Sequence, residues 1–381
     1  MRVSKLSVFR VSIPYIDDPM PEWVDEWGVQ LYVKAVFEDS YEGWGETLVA
    51  GSGVISAYEG VLNDLIIPYI ENNEISSIRD TINILNKILF SAGLCGIVTG
   101  ALSAIDMALW HAYSKMYKTK IYDLLGGKFR NEIPVYASFA RYRNKEDTLK
   151  AVQISINRGF NFVKLHQPPH EVEDTLRYIR EQIGYEVKIA VDLNSPFDLN
   201  EAIRFVNSIA KYEIEWVEEP LWPPNDYENL SKLTEKSPIP ITAGENEYSL
   251  KGFEELINSG VIFVQPDIAK IGGVEQFLSV LELARANNAK VMPHLRPHRS
   301  PIALFHTLQI ASARDEIIRV EYPLAPIPND AFTINLKIKN GKVEVPEDLI
   351  VNENVLIKAY PFRKGLRILK FSDLASREQQ R

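Results

Sequence analysis

The sequence predicts an α/β protein built on a (β/α)8-type TIM barrel, with a small α+β domain ahead of it. From Arg130 onward, short apolar runs alternate with helix-like segments, the pattern of a barrel of parallel strands. The run ends recur at close to the ~30-residue interval of one βα unit. Before that point the order differs, with strands first and helices after, which suits a separate α+β unit.

The first unit opens with SKLSVFRVSI, VQLYVKAVFE and EGWGETLV, whose β-branched and aromatic residues partly alternate between turn-formers. Helical spacing follows over 54–70, 76–90 and 99–117, as in Ala101, Ile105, Ala108, Leu109 and Ala112. This unit is expected to span 1–127 and to end at the glycine pair 126–127. The barrel strands are then IPVYASF, FNFVKLH, EVKIAVDLN, IEWVEEP, PIPITAGEN, VIFVQPD, KVMPH and IIRVEY. Helical segments at 147–158, 171–183, 198–210, 250–258 and 273–287 separate most of them. A doubly wound open sheet is the competing arrangement. The barrel is expected over 128–345. The segment 346–381 lacks periodicity and is expected to fold back onto the first domain.

Composition excludes several function classes. The chain of 381 residues is 46% hydrophobic and 24% charged, with a formal net charge of −9. No Lys/Arg cluster alternates with aromatics, so a nucleic-acid surface is not expected. No apolar run is long enough to cross a bilayer, and the N-terminus lacks the apolar core of a signal peptide. The one cysteine, Cys95, cannot form an internal disulfide, which fits a reducing cytoplasm.

The strand ends carry the chemistry. The second strand ends on Lys164 and His166, the third on Asp192 and Asn194. The next three end on Glu218, Glu245 and Asp267, and the last two on His294 and Glu321. A barrel builds its active site at that end, where the loops converge. Any one of these residues alone is most simply a solvated strand end; the series is not. Asp192, Glu218 and Glu245 come from consecutive strands and would repel one another without a cation between them. Three hard oxygen donors suit Mg²⁺ better than Zn²⁺. Within WVEEP, Glu218 shares a face with Trp216 and points into the mouth, while Glu219 faces away toward a supporting partner. Lys164 and His166 project together on one flank of the metal. Asp267 and His294 stand on the other, where the carboxylate orients the imidazole. This arrangement fits removal of a proton α to a carboxylate.

The motifs GWGET, SAIDMALW, YDLLGG, VKLH, VDLN, WVEEP, TAGE, QPDIAKIGG and MPH, in that order, resemble the enolase superfamily, specifically its mandelate racemase subgroup. The resemblance covers nearly the whole chain. It implies a modified (β/α)7β barrel, an N-terminal capping domain, Mg²⁺, and a symmetric homo-oligomer. It implies that Glu321 gives a proton to the substrate carboxylate and that Asn194 contacts a substrate hydroxyl. Aspartate at position 267, where the muconate-lactonising and dipeptide-epimerase relatives carry lysine, carries the subgroup assignment. Lys270 is then expected to support the loop. Two departures stand out: Lys164-Leu165-His166 replaces Lys-x-Lys, and His111 stands where many relatives have aspartate.

Most activities of the subgroup resemble dehydration of a sugar acid (an aldonate or aldarate) to a 2-keto-3-deoxy acid. His294 would take the C2 proton, protonate the leaving hydroxyl, or both, with Lys164 and Glu321 bracketing the carboxylate and His166 serving the other face. Arg296, His298 and Arg299 after the seventh strand, or Arg141 and Arg143 after the first, could bind a second carboxylate. Trp23 and Trp27 sit in an acidic loop expected to close over the substrate. A racemase, epimerase or cycloisomerase would use the same groups without losing a hydroxyl. A non-catalytic barrel would leave the filled charged positions unexplained.

Overall fold

The computed structural model describes residues 2–364 apart from 17–18, 23–27, 39, 50 and 297–298. Strands β1 (Val3–Ser12), β2 (Val29–Phe37) and β3 (Glu42–Thr47) form an antiparallel sheet in that order. Helix α1 (Ile55–Gly60) runs through a π-helical stretch, Val61–Ile66, into α2 (Ile67–Glu71), and α3 (Ile78–Leu89) follows. The long helix α4 (Ile97–Met116) packs directly on β3. That closeness explains GWGET: a Cβ on Gly45 would lie 1.9 Å from the Ala104 carbonyl oxygen, and one on Gly43 2.1 Å from that of Ala108. A short α5 (Ile121–Leu124) leads out of this domain.

The second part is a parallel barrel. Strands β4 (Glu132–Ser138), β5 (Phe162–Leu165), β6 (Lys188–Asp192), β7 (Ile214–Glu218) and β8 (Ile241–Thr242) pair in sequence. Between them run α6 (Lys145–Asn157), α7 (Pro169–Ile183), α8 (Leu199–Ile209) and α9 (Tyr227–Lys236), followed by α10 (Leu250–Asn258), α11 (Val274–Ala286) and α12 (Pro301–Ala313). Strand β9 (Val320–Pro323) pairs with β4 on its other side. On the arc between β8 and β9 the ladder thins to single parallel bridges at Val264, Val291 and Ile317. Strands predicted over VIFVQPD and KVMPH are therefore shorter than expected. Pro266 and Pro293 bring no N–H, and each stops its strand just past the bridge. Among the described residues, seven helices between eight strand positions make the (β/α)7β form. Helix α12, not among the helical segments singled out from sequence, is buried on nearly every side and so shows no amphipathic period.

Side chains alternate along each strand. Tyr136, Phe162, Ala190, Trp216, Phe263 and Met292 fill the barrel interior as one cluster, with Trp216 edge-on to Phe263 at 5.0 Å. Burying rings of this size contributes on the order of 2 kcal/mol each, and it makes a firm floor for what lies two residues further on. Side-chain oxygens of Asn144, Asp198, Asp226 and Ser249 cap α6, α8, α9 and α10, with Asp198 and Glu201 forming a reciprocal pair at α8.

The end of the chain adds β10 (Phe332–Ile334), a hairpin of β11 (Ile338–Lys339) and β12 (Lys342–Glu344) on the start of β4, then β13 (Leu349–Val351) and α13 (Glu353–Ala359). It returns to the first sheet, where Lys34 pairs with Glu353 at 2.8 Å and Pro361 bridges to Val11. Among the described residues, no helix is long and apolar enough to cross a membrane.

The segment after the seventh strand binds the first domain. Arg296 Nη1 donates to Val29 O at 3.1 Å; Arg299 donates to Ile13 O at 2.9 Å, Pro14 O at 2.7 Å and Pro326 O at 2.7 Å. Glu46 of GWGET accepts from the first N–H groups of α12, Ile302 at 2.9 Å and Ala303 at 3.1 Å. Burial pushes its carboxyl up to about 7 against those bonds. Ser103 and Asp106 of SAIDMALW accept from Gly272 and from Val274 and Glu275, tying α4 to the start of α11.

Candidate active site

Two residues above the aromatic floor the interior turns polar. Lys164, Asp192, Glu218, Glu245, Asp267, His294 and Glu321 are all buried at the carboxyl ends of the strands. Asp192, Glu218 and Glu245 each offer an oxygen, and these atoms lie within 4.8 Å of one another. Lys164 Nζ stands among carboxylates, 2.7 Å from Glu218 Oε1, 3.0 Å from Glu321 Oε1 and 3.2 Å from Asp192 Oδ2. Burial alone would strip its proton, but Glu218, Glu321 and Asp192 together hold its pKa well above the ordinary lysine value.

His294 lies between two carboxylates. Nδ1 is 2.7 Å from Asp267 Oδ2 and Nε2 is 2.8 Å from Glu245 Oε2. Acceptors on both nitrogens suit the imidazolium, which has two donors. Burial works against that charge, but Glu245, Glu321 and Asp267 outweigh it and raise the pKa well above the usual histidine value. In return the imidazole draws Glu245 down to about 2 despite its burial. Asp267 is fixed in turn by the Ala269 N–H at 2.7 Å, and Glu321 by the Leu295 N–H at 3.0 Å.

His166 Nε2 lies 2.8 Å from Asp192 Oδ2, and its Nδ1 is buried without a hydrogen-bond partner among the described residues. Asn194 takes a left-handed backbone, φ 51°, so that its N–H reaches Asp192 Oδ1 at 3.0 Å; its side chain is exposed. Glu219 turns away from the mouth and accepts from Asn246 Nδ2 at 2.7 Å. Burial, with Glu245 and Asp192 nearby, pushes its carboxyl up to about 8. Lys270 Nζ donates to Asn246 Oδ1 at 2.7 Å.

The arginines are otherwise engaged. Arg299 is spent on backbone carbonyls, Arg143 pairs with Asp147 at 3.2 Å, and Arg141 Nε donates to His166 O at 3.2 Å. His298, Trp23 and Trp27 lie outside the described residues. His111 is buried in α4, where its Nδ1 accepts the Trp44 N–H at 3.2 Å, a structural position.

Several site residues escaped the sequence reading. Gln265 Nε2 donates to Glu218 Oε2 at 2.6 Å, with Trp216 Nε1 at 3.4 Å from the same oxygen, while Oε1 meets Lys164. Ser138, Tyr136 and Thr242 carry buried hydroxyls with no hydrogen-bond partner among the described residues. Period two from Tyr136 would have placed Ser138, and two steps back from Asp267 would have placed Gln265.

The donor set fits a hard divalent cation. All three ligating groups are carboxylates, all are buried, and the ammonium groups of Lys164 and Lys270 stand near them. Desolvated carboxylates this close otherwise resist ionising together: burial pushes Glu218 well above the ordinary range, and Asp192 and Glu245 add to that.

Comparison with known proteins agrees. Residues 147–349 match the family model described as enolase C-terminal domain-like, and residues 29–126 match that of the mandelate racemase / muconate lactonizing enzyme N-terminal domain. The chain belongs to the enolase superfamily, in its mandelate racemase / muconate lactonizing enzyme family. It is 29% identical over 321 residues to an arabinonate dehydratase of Saccharolobus solfataricus, covering 81% of this chain and 83% of that protein. In fold it is similar to the 3,6-anhydro-D-galactonate cycloisomerase of Zobellia galactanivorans, with a TM-score of 0.81 at 24% identity, over 95% of this chain and 100% of that one. It is likewise similar to a mandelate racemase/muconate lactonizing protein of Paracoccus denitrificans complexed with magnesium, with a TM-score of 0.80 at 24% identity, over 97% and 100% of the two chains.

Proposed function

We propose that this protein removes the proton α to the carboxylate of a small acid with the help of Mg²⁺, and that the overall reaction is dehydration of a sugar acid to a 2-keto-3-deoxy acid. The observation that carries this reading is the Asp267–His294 pair at 2.7 Å, facing Lys164 across three converging carboxylates. Asp192, Glu218 and Glu245 would hold the cation. A bound Mg²⁺ supplies the Lewis acidity that offsets charge gathering on the substrate carboxylate as the α-proton leaves.

The chain's own groups do the rest. Lys164 presents an ammonium to one carboxylate oxygen, and Glu321, 3.0 Å from it, holds the other as a hydrogen-bond donor when protonated. His294 takes the C2 proton on Nε2 or delivers one to the departing C3 hydroxyl, which leaves as water. Asp267 keeps the ring aimed and its Nδ1 protonated. When both groups leave from one face of the substrate, a single histidine performs both transfers in turn. Asn194, exposed at the rim, would meet a substrate hydroxyl. The relative named an arabinonate dehydratase supports dehydration, as does aspartate at position 267 in place of lysine.

Racemisation, epimerisation or cycloisomerisation is the second reading, favoured by His166 on the flank opposite His294. Proton NMR in D₂O separates them, with Mg²⁺ and a panel of aldonic, aldaric and uronic acids, mandelate and dipeptides. The dehydratase reading expects 2-keto-3-deoxy signals that chelator abolishes. Loss of the α-proton signal without elimination would move the reaction to the isomerase class. Silence across the panel would remove the support for both.

A further inference from the structure

Lys270 takes no part in the steps above, yet its ammonium is committed. It lies three residues past Asp267, in a turn closed by its N–H on Asp267 O at 3.0 Å. Its side chain reaches toward the fifth strand's end, giving Nζ to Asn246 Oδ1 at 2.7 Å and standing 5.7 Å over the Tyr248 ring. A lysine can only donate, so the amide oxygen of Asn246 must face it. The NH₂ group is thereby turned to two carboxyls on two strands, Glu219 Oε2 at 2.7 Å and Glu245 Oε1 at 3.0 Å. Rotated by half a turn, the same amide would set its oxygen against both. Glu245 is consequently held from two sides. Asn246 fixes Oε1 and His294 Nε2 fixes Oε2, and the residues that aim those two partners, Lys270 and Asp267, belong to one turn.

We propose that Lys270 is a positioning residue: by locking the amide of Asn246 it sets the orientation of Glu245, and so the geometry of the cation site, from the same turn that aims His294. The inference rests on the metal reading above. Simple charge arithmetic makes the opposite prediction. Removing a positive charge beside Glu245 leaves the site more negative and should tighten its hold on a dication.

Calorimetric titration of the full chain with MgCl₂ decides between them, comparing wild type, Lys270→Met, Asn246→Leu and the double variant. Folding of each is checked by circular dichroism, and Lys270→Gln replaces Lys270→Met if the latter does not fold. Positioning expects Lys270→Met to weaken Mg²⁺ binding ~10- to 100-fold, the usual effect of disturbing the group that holds a metal ligand, here Asn246 on Glu245. The double variant should bind no worse than Asn246→Leu, because both changes break one chain of contacts. Unchanged or tighter Mg²⁺ binding by folded Lys270→Met would overturn the inference, as would additive losses. No uptake by wild type would sink the metal reading and this inference with it, whereas uptake by wild type and an equal response in the variants would sink this inference alone.

Discussion

His294 can act as a base only once it has given up the proton that its neighbours hold. Glu245 and Glu321 keep it charged in the structure, against its burial. A cation among the three carboxylates would draw on Glu245 and weaken that hold, so its pKa should fall when Mg²⁺ is added. Imidazole NMR with and without Mg²⁺ reads this directly, and a pKa that rises or stays fixed would contradict the assigned role. His294→Asn retains hydrogen bonding and cannot carry the proton. It should lower turnover by ~10²- to 10⁴-fold, as loss of a general acid–base does. The charged members of the site were legible in the sequence because each stands at a strand end with the right sign. Gln265 and Asn246 were not, since an uncharged amide at a strand end looks like any polar residue until its partners are seen.

The pairing of β3 with α4 is set by absent side chains. Gly45→Ala would drive a methyl to 1.9 Å from the Ala104 oxygen, a backbone atom with nowhere to go. The destabilisation should reach the upper end of overpacking costs, about 3 kcal/mol, measurable as a lower urea midpoint at unchanged slope. His111 in the same helix makes a pH-dependent contribution. Burial lowers its pKa to about 4, and protonation of Nδ1 would set a proton against the Trp44 N–H. In the unfolded chain the value returns to ~6.5. Its folded value is the lower one, so the contribution is complete above pH ~6.5 and is lost as pH falls toward 4. The loss is on the order of 3 kcal/mol by linkage. Urea midpoints at pH 7 and pH 5 should diverge in wild type and diverge less in His111→Gln, where the buried His306, lowered to about 3, still contributes; equal divergence would remove His111 as a cause. Elements with a clean period were readable from sequence. Helix α12, buried all round, and strands reduced to one bridge before Pro266 and Pro293 have no period to read.

Across the whole molecule, the cation and the fold are linked. A ligand that binds only the native state stabilises it by ~2.7 kcal/mol at a hundredfold excess over its Kd. Melting temperature should therefore climb with MgCl₂ and drop with chelator, and Asp192→Asn should flatten the response. The barrel was visible as a rhythm of strands ending in charge, but the fastening of its two domains was not. Arg296 and Arg299 read as loop cations, solvated or available to a second substrate carboxylate. Arg299 instead holds carbonyls just before the loop at 15–27 and Arg296 one just after it, because an arginine's fork suits backbone oxygens as well as carboxylates. The stretch from His294 to Ala303 thus carries the histidine proposed to move the proton at one end and the grip on Glu46 at the other. For anyone recombining this protein with its relatives, the heritable module is not the cap. A transplanted cap would arrive without its handhold unless those ten residues travelled with it, and they cannot travel without bringing the histidine.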